Sequence, residues 1–372
     1  MGIVQFSRHE WTPSPLGHDQ IIRRDRLNLA ISLARVVLVN GLASIAGSRH
    51  GSFDSLRLEA QLLATALANT RMKGSYALHR TRSFDCSSLH IKSFVITGAG
   101  LGLLTASIES LMIQGKLKSF QIRQFDLMPA LTPRGPRGGN SRPDLLINLP
   151  DGRQMVGEAK GRRKGSSHTT KEKRKFLSKL HEWASNNKYE GFPLALSWAS
   201  ILEDKTIVDL YHTDPTKEVE PLSQHLDQDI QSSPDLREEF LNQALPSTGV
   251  EDLQREWTRI VRNLTEPTPI QFYEDPLFWS APNPPRESQL LAGLPIRGSW
   301  SPIGADGRSL FVGIFKEEPE GDSLTKIRRT YFASLEGNTV APLDIAAEGR
   351  LIFAIAQNGE LATWRALQRI IN

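Results

Sequence analysis

Apolar residues recur at helical spacing in two stretches near the start of the chain, 22–47 and 54–72, and predict helices there. In the second, Leu56, Leu63 and Leu67 fall near one face, and Asp54 offers an N-cap. The string "SFVITGAG" reads as a strand or a buried turn. "GLLTASIESLMIQG" then sets Leu104, Ile108, Leu111 and Met112 at helical spacing, with Gly115 to close the helix. Strand patterns follow near 118–126, 143–149 and 154–161. The last two are joined by Pro150-Asp151-Gly152, residues suited to a hairpin turn, and the first two are separated by the Gly/Pro-rich loop "TPRGPRGGNSR". From Thr169 to Lys188, residues Phe176, Leu177, Leu180, Trp183 and Ala184 make one helical face. "PLALSWASI" and "TIVDLYH" are two more strands.

Beyond Thr213 the pattern changes. Residues 222–265 predict acidic helices with Leu253, Trp257, Ile260 and Leu264 as one stripe, followed by a proline-rich, aromatic linker through "EPTPIQFYEDPLFWSAPNPPRES". The last eighty or so residues, with "SLFVGIF", "IRRTYFAS" and "RLIFAIAQNG", predict strands and a closing helix. The reading is thus α/β. A helical N-terminal region (1–95) precedes a mixed-sheet core (96–213), an acidic connector and linker (214–289) and a small strand-rich C-terminal α+β domain (290–372).

Composition narrows the classes. The chain has 372 residues, 39% of them hydrophobic and 23% charged, which are globular values. The single cysteine, Cys86, excludes an internal disulfide and a cysteine-rich zinc site, and fits a reducing compartment. Arg8, His9 and Glu10 stand where a secretory signal needs an apolar run, and "ARVVLVNGLASIAG" is too short for a bilayer span, so a cytoplasmic protein with no membrane partner is expected. The net charge of +4 conceals an asymmetry. Residues 1–213 carry 30 Lys+Arg against 17 Asp+Glu, and residues 214–372 carry 15 against 24. A basic half suits a polyanion such as nucleic acid.

Candidate chemistry sits in "RPDLLINLPDGRQMVGEAKGRRK". Side chains alternate faces on a strand, so Glu158 and Lys160 project to one side and Ala159 to the other. A hairpin partner that begins at Asp144 brings a second carboxylate beside Glu158. Two adjacent carboxylates repel unless a cation lies between them, and hard oxygen donors that leave open positions suit Mg²⁺, or alternatively Mn²⁺. Lys160 is then placed to hold or deprotonate an attacking water and to offset charge building on phosphorus.

Pro143-Asp144, thirteen residues, then Glu158-Ala159-Lys160 resembles the signature of the PD-(D/E)XK superfamily, the restriction-endonuclease-like phosphodiesterases. The common core of that superfamily runs helix, strand, strand, strand, helix, strand, which is the order of elements predicted over residues 96–213. The resemblance covers barely a third of the chain. It implies a restriction-endonuclease-like sheet and a Mg²⁺-dependent DNA endonuclease, of the kind frequent in bacterial restriction, anti-phage defence and mobile elements. Asp144, Glu158 and the Ala159 carbonyl would be the metal ligands, and Lys160 the catalytic lysine. Many members add a glutamate from the preceding helix, for which Glu109 is the candidate and Glu59 the runner-up.

The surroundings are basic. Eight Lys or Arg lie between Lys160 and Lys175, with Glu172 the one acid among them. Arg162, Arg163, Lys164, Lys171 and Arg174 from this run, with Arg134, Arg137 and Arg142 from the Gly/Pro loop, are expected to track phosphates. "TGAGLG" at 97–102 lacks the third glycine of a dinucleotide loop and reads as a turn opening the core helix. No GxxxxGK[ST] motif is present. Two other readings stay open. One is a nucleic-acid-binding subunit whose nuclease-like core is inactive or conditionally active. The other is an interaction protein whose acidic C-terminal half docks a second subunit or another copy of the chain.

Overall fold

A computed structural model describes residues 1–13, 20–46, 53–72, 75–114, 121–124, 143–148, 154–167, 170–185, 192–214, 289–319, 327 and 343–371. In chain order the described elements are β1 (Gly2–Thr12), β2 (Gln20–Ile31), α1 (Leu33–Ala46), α2 (Phe53–Ala66), β3 (Leu67–Met72), β4 (Ser75–Arg80), α3 (Arg82–Cys86) and α4 (Leu89–Gln114). These are followed by β5 (Gln121–Gln124), β6 (Leu145–Asn148), β7 (Gln154–Arg162), α5 (Lys171–Ser185), β8 (Leu194–Ile201) and β9 (Thr206–His212). The C-terminal part contributes β10 (Gln289–Leu291), β11 (Leu294–Ile303), β12 (Arg308–Phe315), β13 (Leu343–Glu348), β14 (Leu351–Ala356) and α6 (Trp364–Ile371).

The architecture is mixed α/β. A nine-stranded sheet runs β3-β4-β1-β9-β8-β7-β6-β5, with β2 paired to β1, and a five-stranded sheet runs β10-β11-β12-β14-β13. In the large sheet β5, β6 and β7 form an antiparallel meander, β8 lies parallel to β7, and β9 lies antiparallel to β8. The parallel β7–β8 pair needs a crossover, and α5 supplies it.

Three apolar clusters fix the layers. The largest joins one face of each sheet through α1, α2 and α4, including Leu145, Ile147, Ala195 and Val208 from the large sheet and Val312, Leu351 and Phe353 from the small one. The far face of the large sheet packs Leu146, Val156, Leu196 and Trp198 against Leu177, Leu180 and Trp183 of α5. The far face of the small sheet packs Phe311, Ile345 and Ile352 against Leu367 and Ile371 of α6.

The N-terminal region departs from its expected helical character. Residues 20–31 form β2, paired with β1 over the full length of both strands, and the helix begins only at Leu33. Leu27, Leu29 and Ile31 recur at period two, a strand signal that merges on paper with the helical run after it. Ser32 marks the break: its hydroxyl accepts from Arg35 N at 2.9 Å, as an N-cap does. β1 lies parallel to β9 inside the large sheet, so the N-terminal region and the core form one sheet rather than two units. Helix α2 stops at Ala66, and 67–72 is a strand.

The glycines of "TGAGLG" do not open a helix. They lie inside α4, which starts at Leu89 and holds the residues read as a strand or turn. Their role is close approach. A Cβ on Gly100 would stand 2.6 Å from Gly161 N of β7, and one on Gly102 would stand 2.5 Å from Val36 O of α1. Residues 89–112 of α4 are long and apolar enough to cross a membrane, and two thirds of the apolar window is buried within the fold. A Cβ on Gly161 would meet Ile96 O at 1.9 Å, a backbone atom that no rotamer change can move. Gly161→Ala is therefore expected to cost about 1–3 kcal/mol by overpacking. A urea unfolding midpoint equal to wild type would refute the close packing of α4 on β7.

The C-terminal sheet is tied into the same body. Asp344 of β13 accepts from Ser32 Oγ and Leu33 N, both at 2.7 Å, and so caps α1 from 311 residues away. Arg308 donates to Leu67 O at 2.8 Å, and Gln357 donates to Asn69 at 2.6 Å. The expected C-terminal domain thus shares its core with the N-terminal helices. The acidic helices and Pro-rich linker expected over 214–289 fall almost wholly outside the described residues, as does the Pro150-Asp151-Gly152 turn.

Candidate active site

The β6–β7 hairpin forms because "LLIN" and "QMVGEAKGR" each carry apolar residues that bury both faces. Leu145 and Ile147 point to the central core, and Leu146 and Val156 to the α5 side. Leu145 pairs with Gly157, and the ladder extends one step further, with Asp144 N donating to Gly157 O at 2.9 Å. By alternation Asp144, Glu158, Lys160 and Arg162 all fall on the α5 face, while Ala159 packs against the central core.

Asp144 and Glu158 come together through the backbone. Asp144 Oδ2 accepts from Ala159 N at 2.6 Å, which ties this carboxylate to the residue between Glu158 and Lys160. The N–H and C=O of one residue project to the same edge of a strand, so the Ala159 carbonyl also faces the Asp144 edge. Glu158 is 6% exposed, and Lys160 Nζ donates to its Oε1. The Lys160 ammonium lies 4.9 Å from the centroid of the Phe176 ring of α5. Two carboxylates and a carbonyl are hard donors of the kind Mg²⁺ or Mn²⁺ takes, with further positions left for water and phosphate oxygens.

Glu109 stands elsewhere. Its oxygens accept from Arg35 Nε at 3.0 and 3.1 Å and from Nη2 at 2.7 Å, and Arg35 also reaches Glu348 at 2.5 Å. This acid joins α1, α4 and β13 inside the central layer. Among the described residues no three His, Cys, Asp or Glu side chains gather closely enough to hold a metal ion. The glutamate expected as a third catalytic acid is thus found paired with Arg35. Helical spacing placed Glu109 amid apolar residues but could not show that a distant arginine was its partner. Glu59 is a half-buried residue of α2.

The basic residues divide by environment. Arg162 donates to Glu172 at 2.6 Å, and its guanidinium stacks 4.3 Å from the Trp198 ring, so it braces β7 against α5. Arg163 and Lys164 are exposed, and the loop they occupy is held by Arg80, which donates to Arg163 O at 2.8 Å and to Glu203 at 2.8 Å. Lys171 is exposed, while Arg174 is half-buried. On the helical wheel Arg174 sits about 200° round α5 from Phe176, on the flank away from β7. Arg134, Arg137 and Arg142 lie outside the described residues.

A second cluster was missed in the sequence. Lys173 has no exposure, and its Nζ donates to Asp209 Oδ2 at 2.8 Å and to the Tyr211 hydroxyl at 3.0 Å. His9 Nε2 lies 3.4 Å from Asp209 Oδ1, and its ring stacks on Tyr211 at 4.7 Å. Burial pulls the Lys173 amine below its ordinary value, against the hydrogen bond and charge of Asp209. Burial opposes ionisation of Asp209, but His9 and Lys173 overcome it and hold the carboxyl below its usual range. Burial, with the Asp209 charge, pushes the Tyr211 phenol far up. Strand register sets Lys160 opposite Trp198 and Trp198 opposite Asp209, so the cluster lies on the same sheet face as Glu158 and Lys160, two strands away. The available signal was spacing: Lys173 falls on the Leu177, Leu180, Ala184 face of α5, where a counted basic run hides an inward lysine.

The chain matches no known family model, no curated protein and no solved structure.

Proposed function

We propose that the chain is a Mg²⁺-dependent nuclease of the PD-(D/E)XK kind that hydrolyses phosphodiester bonds in DNA. The observation that carries this reading is the hydrogen bond from Ala159 N to Asp144 Oδ2, which holds the Pro-Asp carboxylate beside the Glu-x-Lys strand. The succession α4, β5, β6, β7, α5, β8 supports it, being the order of elements in that superfamily's core.

Asp144, Glu158 and the Ala159 carbonyl would hold the ion, which supplies charge neutralisation for the transferring phosphoryl group. Lys160, seated between Glu158 and the Phe176 ring, orients the attacking water and offers positive charge where the transition state gathers negative charge. Arg163 and Lys164 bind flanking phosphates from a loop that Arg80 keeps in place. The test is supercoiled plasmid incubated with the full chain and Mg²⁺, with an EDTA control. Nicking or linearisation in Mg²⁺ alone supports the reading, and intact plasmid across metals overturns it.

Lys160→Ala is expected to lower turnover ~10²-fold or more, as the loss of a positioned catalytic group does. Lys160→Arg is expected to restore little, because the guanidinium stays protonated and spreads its charge over a fork too wide for one water. Wild-type single-turnover rates in the arginine variant would mean that charge alone is needed.

A second reading has one observation in its favour. Lys160 donates to Glu158, so the site neutralises part of its own charge. A nucleic-acid-binding subunit with an inactive core accounts for that pair, and predicts binding without cleavage in the same plasmid assay.

A further inference from the structure

We infer that Lys171, Lys175 and Lys179 form a phosphate track, along which one strand of a nucleic acid lies on the outer face of α5. All three are exposed, and among the described residues none pairs with a carboxylate. The other two cations of the helix are otherwise engaged, Lys173 in its buried pair with Asp209 and Arg174 half-buried on the far flank. Steps of four residues rise about 6 Å each, close to the spacing of successive phosphates along one strand, and each step turns about 40° round the helix.

That turn leads toward the candidate site. β7 and β8 are parallel and α5 connects them, so α5 runs antiparallel to β7. Phe176 of α5 lies against Lys160. Lys179, three residues on and about 4.5 Å further along the helix, is therefore level with Glu158, two residues back along β7. At its other end α5 follows, in the chain, the segment that carries the exposed Arg163 and Lys164. The acids nearby are Glu172, which Arg162 engages, and the exposed Glu182, one turn beyond Lys179, which marks the end of the track. The inference rests on the nuclease reading for the direction of the strand, and on the lysines alone for binding.

The experiment uses the full chain in EDTA, where cleavage is blocked, with a labelled 20-bp DNA duplex titrated between 50 and 200 mM KCl. The K171Q/K175Q/K179Q variant is expected to flatten the slope of log K against log[KCl] by about 2.7 on duplex, or by about 2.1 on the matching single strand, for three lost contacts. The control is R365Q/R369Q, two exposed arginines one helical step apart on α6, beyond the second sheet, whose slope is expected to stay at wild type. An unchanged slope in the triple variant overturns the track. So does an equal fall in the control, which would mean general charge. A flattened slope in a chain that never cleaves plasmid retains the track and removes the nuclease reading. Cleavage with an unchanged slope does the reverse.

Discussion

Asp144→Ala and Glu158→Ala are each expected to abolish Mg²⁺-dependent cleavage while leaving nucleic-acid binding in EDTA intact or tighter. Both carboxylates face one site from adjacent strands, and each repels phosphate until a cation neutralises it. Loss of one electrostatic stabiliser at a transition state costs about 10²–10³ in rate, and loss of an ion's ligand removes the ion's contribution as well. Asp144→Ala also deletes the acceptor for Ala159 N, so the alanine variant confounds charge with local structure. Asp144→Asn separates them, since the amide oxygen still accepts that bond but carries no charge. It is expected to be as inactive as the alanine variant and to unfold nearer to wild type. Plasmid cleavage at the wild-type rate in any of these variants sinks the assignment of the site.

Lys173→Ala is expected to destabilise the fold by about 3–5 kcal/mol, the usual cost of stranding one member of a buried ion pair. Lys173 is fully buried, and the Asp209 side chain is 11% exposed, so water cannot replace the missing ammonium. The pH dependence follows from the depressed Asp209 pKa. Its contribution is present above the ordinary carboxylate value near 4 and is lost as pH falls through the lower native value. The Lys173 amine is itself pulled below its ordinary value by burial, against the hydrogen bond and charge of Asp209. In Lys173→Ala the Asp209 carboxylate keeps His9 beside it but loses the ammonium and takes up a proton more readily, so the deficit against wild type is expected to shrink as pH falls. Lys173→Met with Asp209→Leu removes both charges and is expected to recover much of the loss. Urea midpoints at pH 7 and pH 4 measure all three. A deficit under 1 kcal/mol at pH 7 would show that the pair is not structurally coupled.

These two expectations differ in how they became visible. Asp144, Glu158 and Lys160 follow from local rules: alternation along a strand, a short hairpin and a recognisable spacing of acids and lysine. The hairpin, the α5 crossover and the strands on either side of it obey the same short-range periodicities, so they are legible in one dimension. Lys173 is half legible, because its inward position on α5 follows from helical spacing but its partner, Asp209, lies 36 residues away.

Other features depend on contacts that no local pattern encodes. The run 20–46 carries strand and helix periodicity end to end, and β2 becomes a strand because β1 is there to pair with it. The glycines at 98, 100 and 102 permit a turn or a tight helix crossing equally well. Only the backbones of Gly161 and Val36, brought close by the fold, select the crossing. Glu109 stands amid apolar residues of its own helix, and its pairing with Arg35, itself tied to Glu348 of β13, appears only in the fold. Local sequence thus determined the faces, the hairpin and the candidate chemistry, because side-chain direction repeats over two or 3.6 residues. The tertiary structure decided which charges are spent on one another and which stay exposed, because an ion pair is set by distance in space and not along the chain.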